Sequence, residues 1–335
     1  MSILKDFQIP QYWSGDGIIT SLNNSSALEE FIRAATVPVV DLSIWREDID
    51  LPGVAADNAA IGRAGATHFI EAGHQHCAWF ALGSNPVSWT RYEAYRDALV
   101  AVGLDWLRLD RKRAQDTQYI TQVLRDLPKP CAIYTKSDYD AAWTLNLCLS
   151  ADLKAPDEIA ILGAYNNTLI CENKAIPLSR VRHDLQTIGY EDAAMLDQLM
   201  AGKNLKERIR FFPPKGIKIP QSTDMLAISD PVIRELITYL KTDYQRSIST
   251  DMLAQRFGIS RRSLESRFRA QMHCSIRESI IRIRIQEGKR RLAGGSESIE
   301  TIAALSGFCH APHFSNTFKL VVGCSPTQYR RKSPG

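Results

Sequence analysis

The 335-residue sequence predicts an α/β domain of parallel sheets flanked by helices, followed by an all-α domain. Three observations predict this order. Short apolar runs alternate with amphipathic helical patterns up to about residue 220, which is typical of parallel sheets covered by helices. A helix, a glycine-containing turn and a second helix then occur twice in succession. Basic residues are also concentrated in this C-terminal region.

In the α/β part, predicted strands and helices follow one another along the chain. The predicted strands lie at residues 17–20, 37–42, 76–82, 106–109, 131–135 and 159–162. The predicted helices lie at residues 26–35, 58–72, 91–102, 114–125 and 139–150. Ser26 is expected to cap the first of these helices. Because ligands bind outside the carboxyl ends of strands in open parallel sheets, the segments after the strands are the predicted ligand site.

A linker rich in proline and turn residues separates the two predicted domains. Asp230-Pro231 is typical of a helix N-cap followed by the first helical residue, so a new helix is expected to begin there. We therefore expect the first domain at residues 1–220, a linker at 221–229 and the second domain at 230–332.

The second domain contains a repeated pattern. Residues 253–259 and 302–308 have the same layout, and each ends with a glycine and an apolar residue. Apolar side chains four residues apart follow each glycine, and their spacing predicts core anchors rather than stacking platforms for bases. These anchors are Leu264, Phe268, Phe314 and Phe318. Residues 276–292 predict a connector helix about 25 Å long, near the ~34 Å between successive major-groove faces of B-DNA.

Charge is distributed unevenly along the chain. Residues 245–335 contain 16 lysines and arginines against 6 aspartates and glutamates, whereas the rest of the chain contains 25 against 31. A basic region on an otherwise acidic protein indicates a module that binds a polyanion such as nucleic acid.

Several short motifs in the last third of the chain carry a family resemblance. They are Ile302-Ala303, Gly307-Phe308, Phe314-Ser315, Phe318-Lys319, Gly323, Ser325-Pro326 and Tyr329-Arg330. Through them, residues from about 230 to 332 resemble the DNA-binding domain of the arabinose-regulator (AraC/XylS) family. The resemblance implies two helix-turn-helix units that bind double-stranded DNA, in a regulator that works with RNA polymerase. The sequence departs from the family at Pro312, His313 and Asn316, so different bases are expected to be read there.

The second helix of each unit is the predicted recognition helix. The candidate DNA contacts on the first, after a Ser260 cap, are Arg261, Arg262, Glu265, Ser266 and Arg269. Those on the second are His310, Ala311, His313, Asn316 and Lys319. Arginine pairs bidentately with guanine, asparagine with adenine, and glutamate with the cytosine amino group. For the basic residues, phosphate contacts that position the protein without reading sequence are the alternative.

A second resemblance is spread over about residues 10–220. It is carried by Asp57-Asn58, Ala72-Gly73-His74, Arg91 with residues 95–99, Ser137-Asp138, Ala155-Pro156, residues 158–163 and residues 178–181. These residues resemble the sugar-sensing domain of lactose-repressor-type (LacI) regulators, which is similar to periplasmic sugar-binding proteins. The resemblance implies two α/β lobes around a cleft, a homodimer and a sugar effector. The family begins with a strand, a helix and a strand that have no counterpart here, so we expect this domain to be incomplete at its N-terminus.

The resemblance places five candidate ligand contacts after the predicted strands. They are Trp89, Arg91, Ser137, Asp138 and Asn166. An arginine fork suits a sugar hydroxyl or a carboxylate, because it donates several hydrogen bonds in a fixed geometry. Structural alternatives are a surface charge for Arg91, core packing for Trp89 and a helix cap for Asp138. Where the family has an aspartate, this chain has Tyr165 followed by Asn166.

Other functional classes find little support in the sequence. The seven cysteines are scattered without a C-x-x-C pair, which predicts free thiols in a reducing, cytoplasmic compartment. No apolar run approaches the ~18 residues of a membrane span, so no membrane association is expected. The run from His74 to Cys77 holds potential metal ligands, but we expect a strand there and neither a metal nor another cofactor. No P-loop, dinucleotide fingerprint or Ser-His-Asp order is present, so we do not expect an enzyme.

Together these patterns predict a cytoplasmic, sequence-specific DNA-binding transcription regulator. We expect it to be a dimeric activator that responds to a pentose such as xylose. The alternative hypothesis is a ligand-independent regulator whose degenerate first domain serves only for dimerisation.

Overall fold

The computed structural model describes residues 14–22, 25–44, 46, 48–83, 85–109, 116–228 and 230–332. The chain divides into two compact units. The first unit comprises the chain up to Phe69 together with residues 74–225, and the second comprises residues 70–73 and the chain from Leu226 onward. Each unit has its own hydrophobic core.

Strands and helices alternate in the first unit. The strands are β1 (Ile18–Thr20), β2 (Val39–Asp41), β3 (Gly53–Ala56), β4 (His76–Phe80), β5 (Asp105–Arg108), β6 (Cys131–Thr135), β7 (Ile159–Ala164), β8 (Ser179–Val181), β9 (Ile209–Phe212) and β10 (Ile217–Lys218). The helices are α1 (Ser26–Ala34), α2 (Asn58–Glu71), α3 (Pro86–Val100), α4 (Thr117–Asp126), α5 (Asp138–Ser150), α6 (Thr168–Glu172) and α7 (Leu185–Met200). This order confirms the predicted α/β class.

Among the described residues, the largest sheet has the strand order β10-β8-β7-β6-β4-β5. Its neighbouring strands are parallel except for β10 and β8. Further parallel pairs join β1 to β2 and β3 to β9. Since parallel strands end at the same edge of a sheet, the segments after β4, β6, β7 and β8 lie along one edge.

The central strands of this sheet are enclosed by helices. β6 and β7 are buried along their whole length, as expected of parallel strands covered on both faces. Ile133 and Ile161 belong to the same core cluster as Leu145 and Cys148 of α5, and all four are fully buried. Burial of each large apolar side chain stabilises the fold by about 1.5–3 kcal/mol. This packing fixes the edge at which the strands end.

The second unit is helical. Its helices are α8 (Pro231–Asp243), α9 (Thr250–Arg256), α10 (Arg261–Met272), α11 (Ile276–Gly294), α12 (Ile299–Leu305), α13 (Ala311–Val322) and α14 (Pro326–Lys332). The turns between α9 and α10 and between α12 and α13 contain Gly258 at φ +65° and Gly307 at φ +83°. Glycine is favoured there because it lacks the Cβ that makes positive φ unfavourable. The tandem helix-turn-helix prediction is confirmed.

Each helix-turn-helix has a separate core. Leu264 and Phe268 lie in one cluster and Phe314 and Phe318 in the other, all four fully buried. The predicted core anchors are therefore confirmed. The connector helix α11 takes part in both clusters, with Ile280 in the first and Ile285 in the second.

Several helix starts or caps differ from the predictions, and α4, for example, begins at Thr117 rather than at residue 114. Ser25, not Ser26, caps α1, and its side chain accepts a backbone N–H of the first turn. α3 begins at Pro86 rather than at the predicted residue 91, because Asn85 and Ser88 form a capping box ahead of it.

The predicted linker begins within the first unit. The Oγ atom of the buried Ser222 donates to the carbonyl of Ile161 at 2.6 Å and accepts the N–H of Ser179 at 2.8 Å. Asp230 caps α8 and Pro231 is the first residue of that helix, as predicted.

The cysteines are free thiols, as predicted. All seven lie within the described residues, and five of them are buried. His74 is also buried, and its ring makes an edge contact with Phe69. Burial lowers the pKa of His74 to about 3, so the ring stays neutral. Among the described helices, none has the length and apolar character to cross a membrane.

Candidate functional site

Polar and aromatic side chains gather at the edge where strands of the largest sheet end. We call this group the strand-end cluster. Its members are Arg91, Asp138, Tyr165, Asn166, Arg180 and His183. Three predicted ligand residues, Arg91, Asp138 and Asn166, belong to the strand-end cluster, and a fourth, Ser137, is next to it in sequence.

Arg91 is buried within the first unit, with 1% of the residue exposed. Its Nη1 atom donates to the carbonyl of Lys136 at 2.6 Å, and its Nη2 atom donates to Oδ1 of Asn58 at 2.7 Å. The Nε atom has no hydrogen-bond partner among the residues that the structure describes. The surface-charge alternative for Arg91 is therefore wrong, and one N–H of this guanidinium is left for another acceptor.

Ser137, rather than Asp138, caps the start of α5. Ser137 is the N-cap, and its Oγ atom accepts the N–H of Asp140 at 3.1 Å. The Oδ2 atom of the buried Asp138 accepts the N–H of Asn167 at 2.6 Å, whereas Oδ1 has no hydrogen-bond partner. A Cβ at Gly163 would lie 2.5 Å from that Oδ1 atom, so the carboxylate packs closely against β7. The helix-cap alternative for Asp138 is wrong, because Ser137 occupies that position.

Burial changes the acidity of Asp138. Desolvation raises the pKa of this carboxyl to about 6, although the N–H of Asn167 and the Cys171 thiol favour the charged form. The carboxyl therefore titrates near neutral pH in the folded protein.

The loop after β7 is held in an unusual backbone conformation. Tyr165 has φ +110° and Asn166 has φ +73°, a region that non-glycine residues rarely adopt. Oδ1 of Asn166 accepts Nε of Arg180 at 3.0 Å. The Tyr165 ring centroid lies 5.0 Å from the Arg91 guanidinium carbon and 4.9 Å from the His183 ring centroid. Strained residues of this kind concentrate at functional sites, where surrounding contacts hold them in place.

Two members of the strand-end cluster were not identified from the sequence. Arg180 is 1% exposed, and its Nη2 atom donates to Glu172 at 3.1 Å while Nη1 has no partner. His183 is 5% exposed, and its Nε2 atom has no partner. Burial, and then the charge of Arg91, lowers the pKa of His183 to about 3. In the sequence, Arg180 lies within the short strand β8 and His183 lies two residues after it.

Trp89 lies apart from the strand-end cluster in its contacts. It is 41% exposed, so the core-packing alternative is wrong. The Arg108 guanidinium carbon lies 4.9 Å from the Trp89 ring centroid and 5.2 Å from that of Tyr92. These three residues line a shallow hollow together with Trp79. The early start of α3 explains the difference, since residues 89 and 91 are two apart on one helix and do not face the same side.

The first recognition helix, α10, presents its predicted DNA contacts to solvent. Arg261, Arg262, Glu265, Ser266 and Arg269 are all exposed. Ser260 caps the helix as predicted, accepting the N–H of Ser263 at 3.2 Å. Arg261 forms ion pairs with Asp251 at 3.3 Å and with Glu265 at 3.0 Å. The charge of Arg261 is therefore partly balanced within the protein, whereas an arginine that only contacts DNA is expected to have no acidic partner in the protein.

The second recognition helix, α13, presents a different set. His310, His313, Asn316 and Lys319 are exposed, whereas Ala311 is half-buried against the core. His310 occupies the N-cap position but makes no capping hydrogen bond through its side chain. The His313 ring makes an edge contact with Phe308, with centroids 5.3 Å apart. Pro312 lies in the first turn, where the helix tolerates it as predicted.

The connector helix α11 contacts segments that precede it and follow it in the sequence, through the side chain of Arg284. It has 19 residues and is therefore about 28 Å long. The Nε atom of Arg284 donates to the carbonyl of Tyr244 at 2.9 Å, and Nη2 donates to that of Arg246 at 2.8 Å. The same guanidinium carbon lies 6.0 Å from the Phe308 ring centroid. One side chain thus holds the end of α8 near the turn of the second helix-turn-helix.

Two families match the chain in the order of its units. Residues 253–332 match the family described as a helix-turn-helix domain, of the arabinose-regulator type. Residues 66–223 match the family described as a periplasmic binding protein-like domain. With the two exposed recognition helices, these matches make the chain a DNA-binding transcription regulator that carries a periplasmic binding protein-like domain.

Individual relatives match either most of the chain or only part of it. The chain is 24% identical to the xylose operon regulatory protein of Escherichia coli K12 over 333 residues, which cover 95% of this chain and 84% of that protein. A solved structure of a xylose-binding transcription activator has a TM-score of 0.58 at 21% identity, and the match covers 97% of this chain and 89% of that one. A LacI family regulator from Enterococcus faecium with bound ribose has a TM-score of 0.53 at 21% identity, over 62% of this chain and 79% of that chain. These relatives are named as regulators rather than as enzymes.

Proposed function

We propose that the protein is a sugar-responsive transcription activator whose first unit binds the effector at the strand-end cluster. The observation that carries this proposal is the group of unpartnered polar atoms there, on Arg91, Arg180 and His183, each at least nine-tenths buried. Buried donors without partners are costly, and a ligand that accepts from them offsets that cost.

Two kinds of evidence support a sugar as the effector. The strand-end cluster lies where open parallel sheets bind ligands, after the strands β6, β7 and β8. The relatives named above are a xylose operon regulator, a xylose-binding activator and a regulator with bound ribose. A pentose or a pentose derivative related to xylose is therefore the first candidate. Arg91, Asp138 and Asn166 are the proposed contacts, with Ser137 holding the segment that carries Asp138.

The DNA-reading role is proposed for the exposed faces of α10 and α13. On α10, Arg262 and Arg269 form no ion pair with the described residues, and Ser266 is exposed beside them. Arg261 and Glu265 instead pair with each other. In the second, Asn316 and Lys319 are one turn or less apart on the exposed face, with His310 and His313 in the turn before.

A footprinting experiment tests the proposal on the DNA upstream of the protein's own gene. We expect a protected, sequence-specific site whose extent or affinity changes when pentoses and their derivatives are added. Arg262→Ala should weaken protection, whereas Arg63→Ala, an exposed arginine of the first unit, should not. Absence of any site preferred over scrambled competitor DNA would exclude the DNA-reading role.

A second candidate function is ligand-independent regulation, in which the first unit serves for dimerisation. The observation that favours it is that Arg91, a proposed ligand contact, already donates hydrogen bonds to Lys136 and Asn58 within the protein. Those two donors therefore need no ligand. Calorimetry of the full chain against a panel of sugars and sugar derivatives discriminates the two functions. Saturable binding at micromolar concentration that shifts the footprint excludes the ligand-independent version. Analytical ultracentrifugation separately tests the proposed homodimer, and in vitro transcription tests the action on RNA polymerase.

A further inference from the structure

The strand-end cluster contains a buried charge that no acidic side chain balances. Both terminal nitrogens of Arg91 donate to neutral oxygens, on Lys136 and Asn58, and no described carboxylate forms an ion pair with this guanidinium. Tyr165 lies beside it at 5.0 Å, but its neutral ring only partly compensates a full charge. Arg91 is also among the largest fully buried side chains of the chain.

The second buried arginine is only partly neutralised. Arg180 pairs with Glu172, whose side chain is 41% exposed, and the same carboxylate oxygen also accepts from Lys218 at 2.6 Å. One acid therefore serves two cations. The Nη1 atom of Arg180 has no partner, so a second buried N–H in the strand-end cluster is available.

The buried acids of this region are engaged elsewhere. Asp138 accepts the N–H of Asn167 and packs against Gly163. Asp140 lies 4.0 Å from the amine of Lys136, whose carbonyl is the acceptor for Arg91. Neither carboxylate forms an ion pair with Arg91, although the charge of Arg180 favours the ionised form of Asp138. Among the described residues, Arg91 is therefore the guanidinium of the strand-end cluster that has no acidic partner.

Burying an unpaired charge is unfavourable, and an incoming anion removes that penalty. The planar guanidinium fork matches the oxygens of carboxylate and phosphate groups. We propose that the effector is an anionic sugar derivative, whose carboxylate or phosphate group accepts hydrogen bonds from Arg91 and Arg180. This inference rests on the proposed effector site and narrows its ligand from pentoses in general to acidic ones.

Calorimetry of the full-length protein with paired ligands tests the inference. D-xylose is compared with D-xylonate, and D-ribose with D-ribonate and with ribose 5-phosphate. We expect at least one acid to bind about 10- to 100-fold more tightly than its neutral parent, the difference expected of a charge-assisted hydrogen bond. The two acid classes distinguish a carboxylate from a phosphate ligand. If each neutral sugar binds as tightly as its acids, or if no acid binds, the inference is overturned.

Variants assign the effect to the residue. Arg91→Gln should lower the affinity for the acid about 10-fold or more, Arg91→Lys should lower it less, and Arg63→Gln should leave it unchanged. Circular dichroism melting of each variant shows whether it folds, and the wild-type comparison of acids with parents stands without any variant. An unchanged acid affinity in a folded Arg91→Gln protein overturns the inference.

The failure of this inference is distinguishable from that of the proposed function. A neutral pentose that binds tightly and changes the DNA footprint leaves sugar-responsive regulation standing and removes only the anionic effector. A protein that binds the acidic sugars but prefers no DNA site leaves the anionic ligand standing and excludes the proposed role in transcription regulation.

Discussion

The two recognition helices occupy equivalent places in the repeat but present different chemistry. α10 presents three exposed arginines, whereas α13 presents two histidines, an asparagine and a single lysine. Their turns also differ. Nothing lies within 4 Å of a Cβ built on Gly258, but one built on Gly307 would lie 2.6 Å from the carbonyl of Tyr244. The first helix-turn-helix therefore has an open turn and an arginine-rich face, and the second has a packed turn and a face with a single lysine.

This difference teaches that a repeated fold need not mean a repeated role. Arginine contributes both affinity through phosphates and specificity through guanine, and its contribution falls with salt. An amide group such as that of Asn316 carries no charge, so it contributes little to salt-dependent affinity and acts through hydrogen bonds to base edges. We expect the first helix-turn-helix to supply most electrostatic affinity and the second to supply discrimination.

The largest effects are expected from the buried phenylalanine anchors, and the loss of stability should be similar in the two helix-turn-helix units. Phe268→Ala and Phe314→Ala each remove a fully buried ring from a separate cluster and should destabilise the second unit by about 3–5 kcal/mol. Urea denaturation followed by circular dichroism measures the losses. The conservative changes to Leu should cost much less, and a loss under about 1 kcal/mol at either position would show that its cluster does not hold the fold.

Substitution of the two turn glycines, Gly258 and Gly307, should cost different amounts of stability. Gly307→Ala places a Cβ against the Tyr244 carbonyl and adds strain at positive φ, so we expect a loss of about 2–4 kcal/mol. Gly258→Ala has the φ strain without the contact and should cost about 1 kcal/mol. Thermal unfolding of the two variants side by side measures the difference, and equal losses would contradict the packed-turn explanation.

DNA binding separates the two faces. Arg262→Ala should weaken binding by about 1–3 kcal/mol and reduce the salt dependence of log K by about one unit of slope. Asn316→Ala should leave the slope unchanged while reducing the preference for the specific site over scrambled DNA. Filter binding or anisotropy titrations from low to moderate salt measure both quantities. A change of slope for Asn316→Ala would argue against the assigned division.

The smallest expected effects concern the helix starts. Ser260 caps α10 through its side chain, so Ser260→Ala should destabilise the unit by about 1 kcal/mol. His310 makes no such bond, so His310→Ser should stabilise it by about 0.5–1 kcal/mol. Both values come from thermal melts. Stabilisation accompanied by weaker DNA binding would show that His310 is kept for contact with DNA.

Periodicity predicted the α/β class and the repeated helical units, but not the strands β3, β8, β9 and β10 or the helices α6 and α7. The fully apolar strands β6 and β7 and the repeated glycine turns have local signals, because burial on both faces and positive φ each restrict residue choice. Helix starts were less well predicted. Ser137 and Asp138 are adjacent and both suit an N-cap, so spacing alone did not identify which one caps α5.

The strand-end cluster was predicted only in part. Arg91 and Asp138 were located by the resemblance to the sugar-sensing domain of LacI-type regulators, and Asp138 also by its position just after a predicted strand. The importance of Arg180 and His183 comes from their burial and from partners distant in sequence, which no local pattern reveals. Trp89 was predicted beside Arg91 as a ligand contact, but α3 begins at Pro86 instead of the predicted residue 91. The two residues therefore lie on one helix and do not face the same side.

We expect Arg284 to restrict which DNA sequences can serve as an operator. Its guanidinium donates to the carbonyls of Tyr244 and Arg246 and lies near Phe308. We therefore expect the two helix-turn-helix units to move together rather than to rotate independently about the connector helix. Each base pair inserted between their contact points turns the duplex by about 35°. Two helix-turn-helix units that move together cannot follow that rotation. A single base pair inserted between their two DNA sites should therefore prevent both units from binding at the same time.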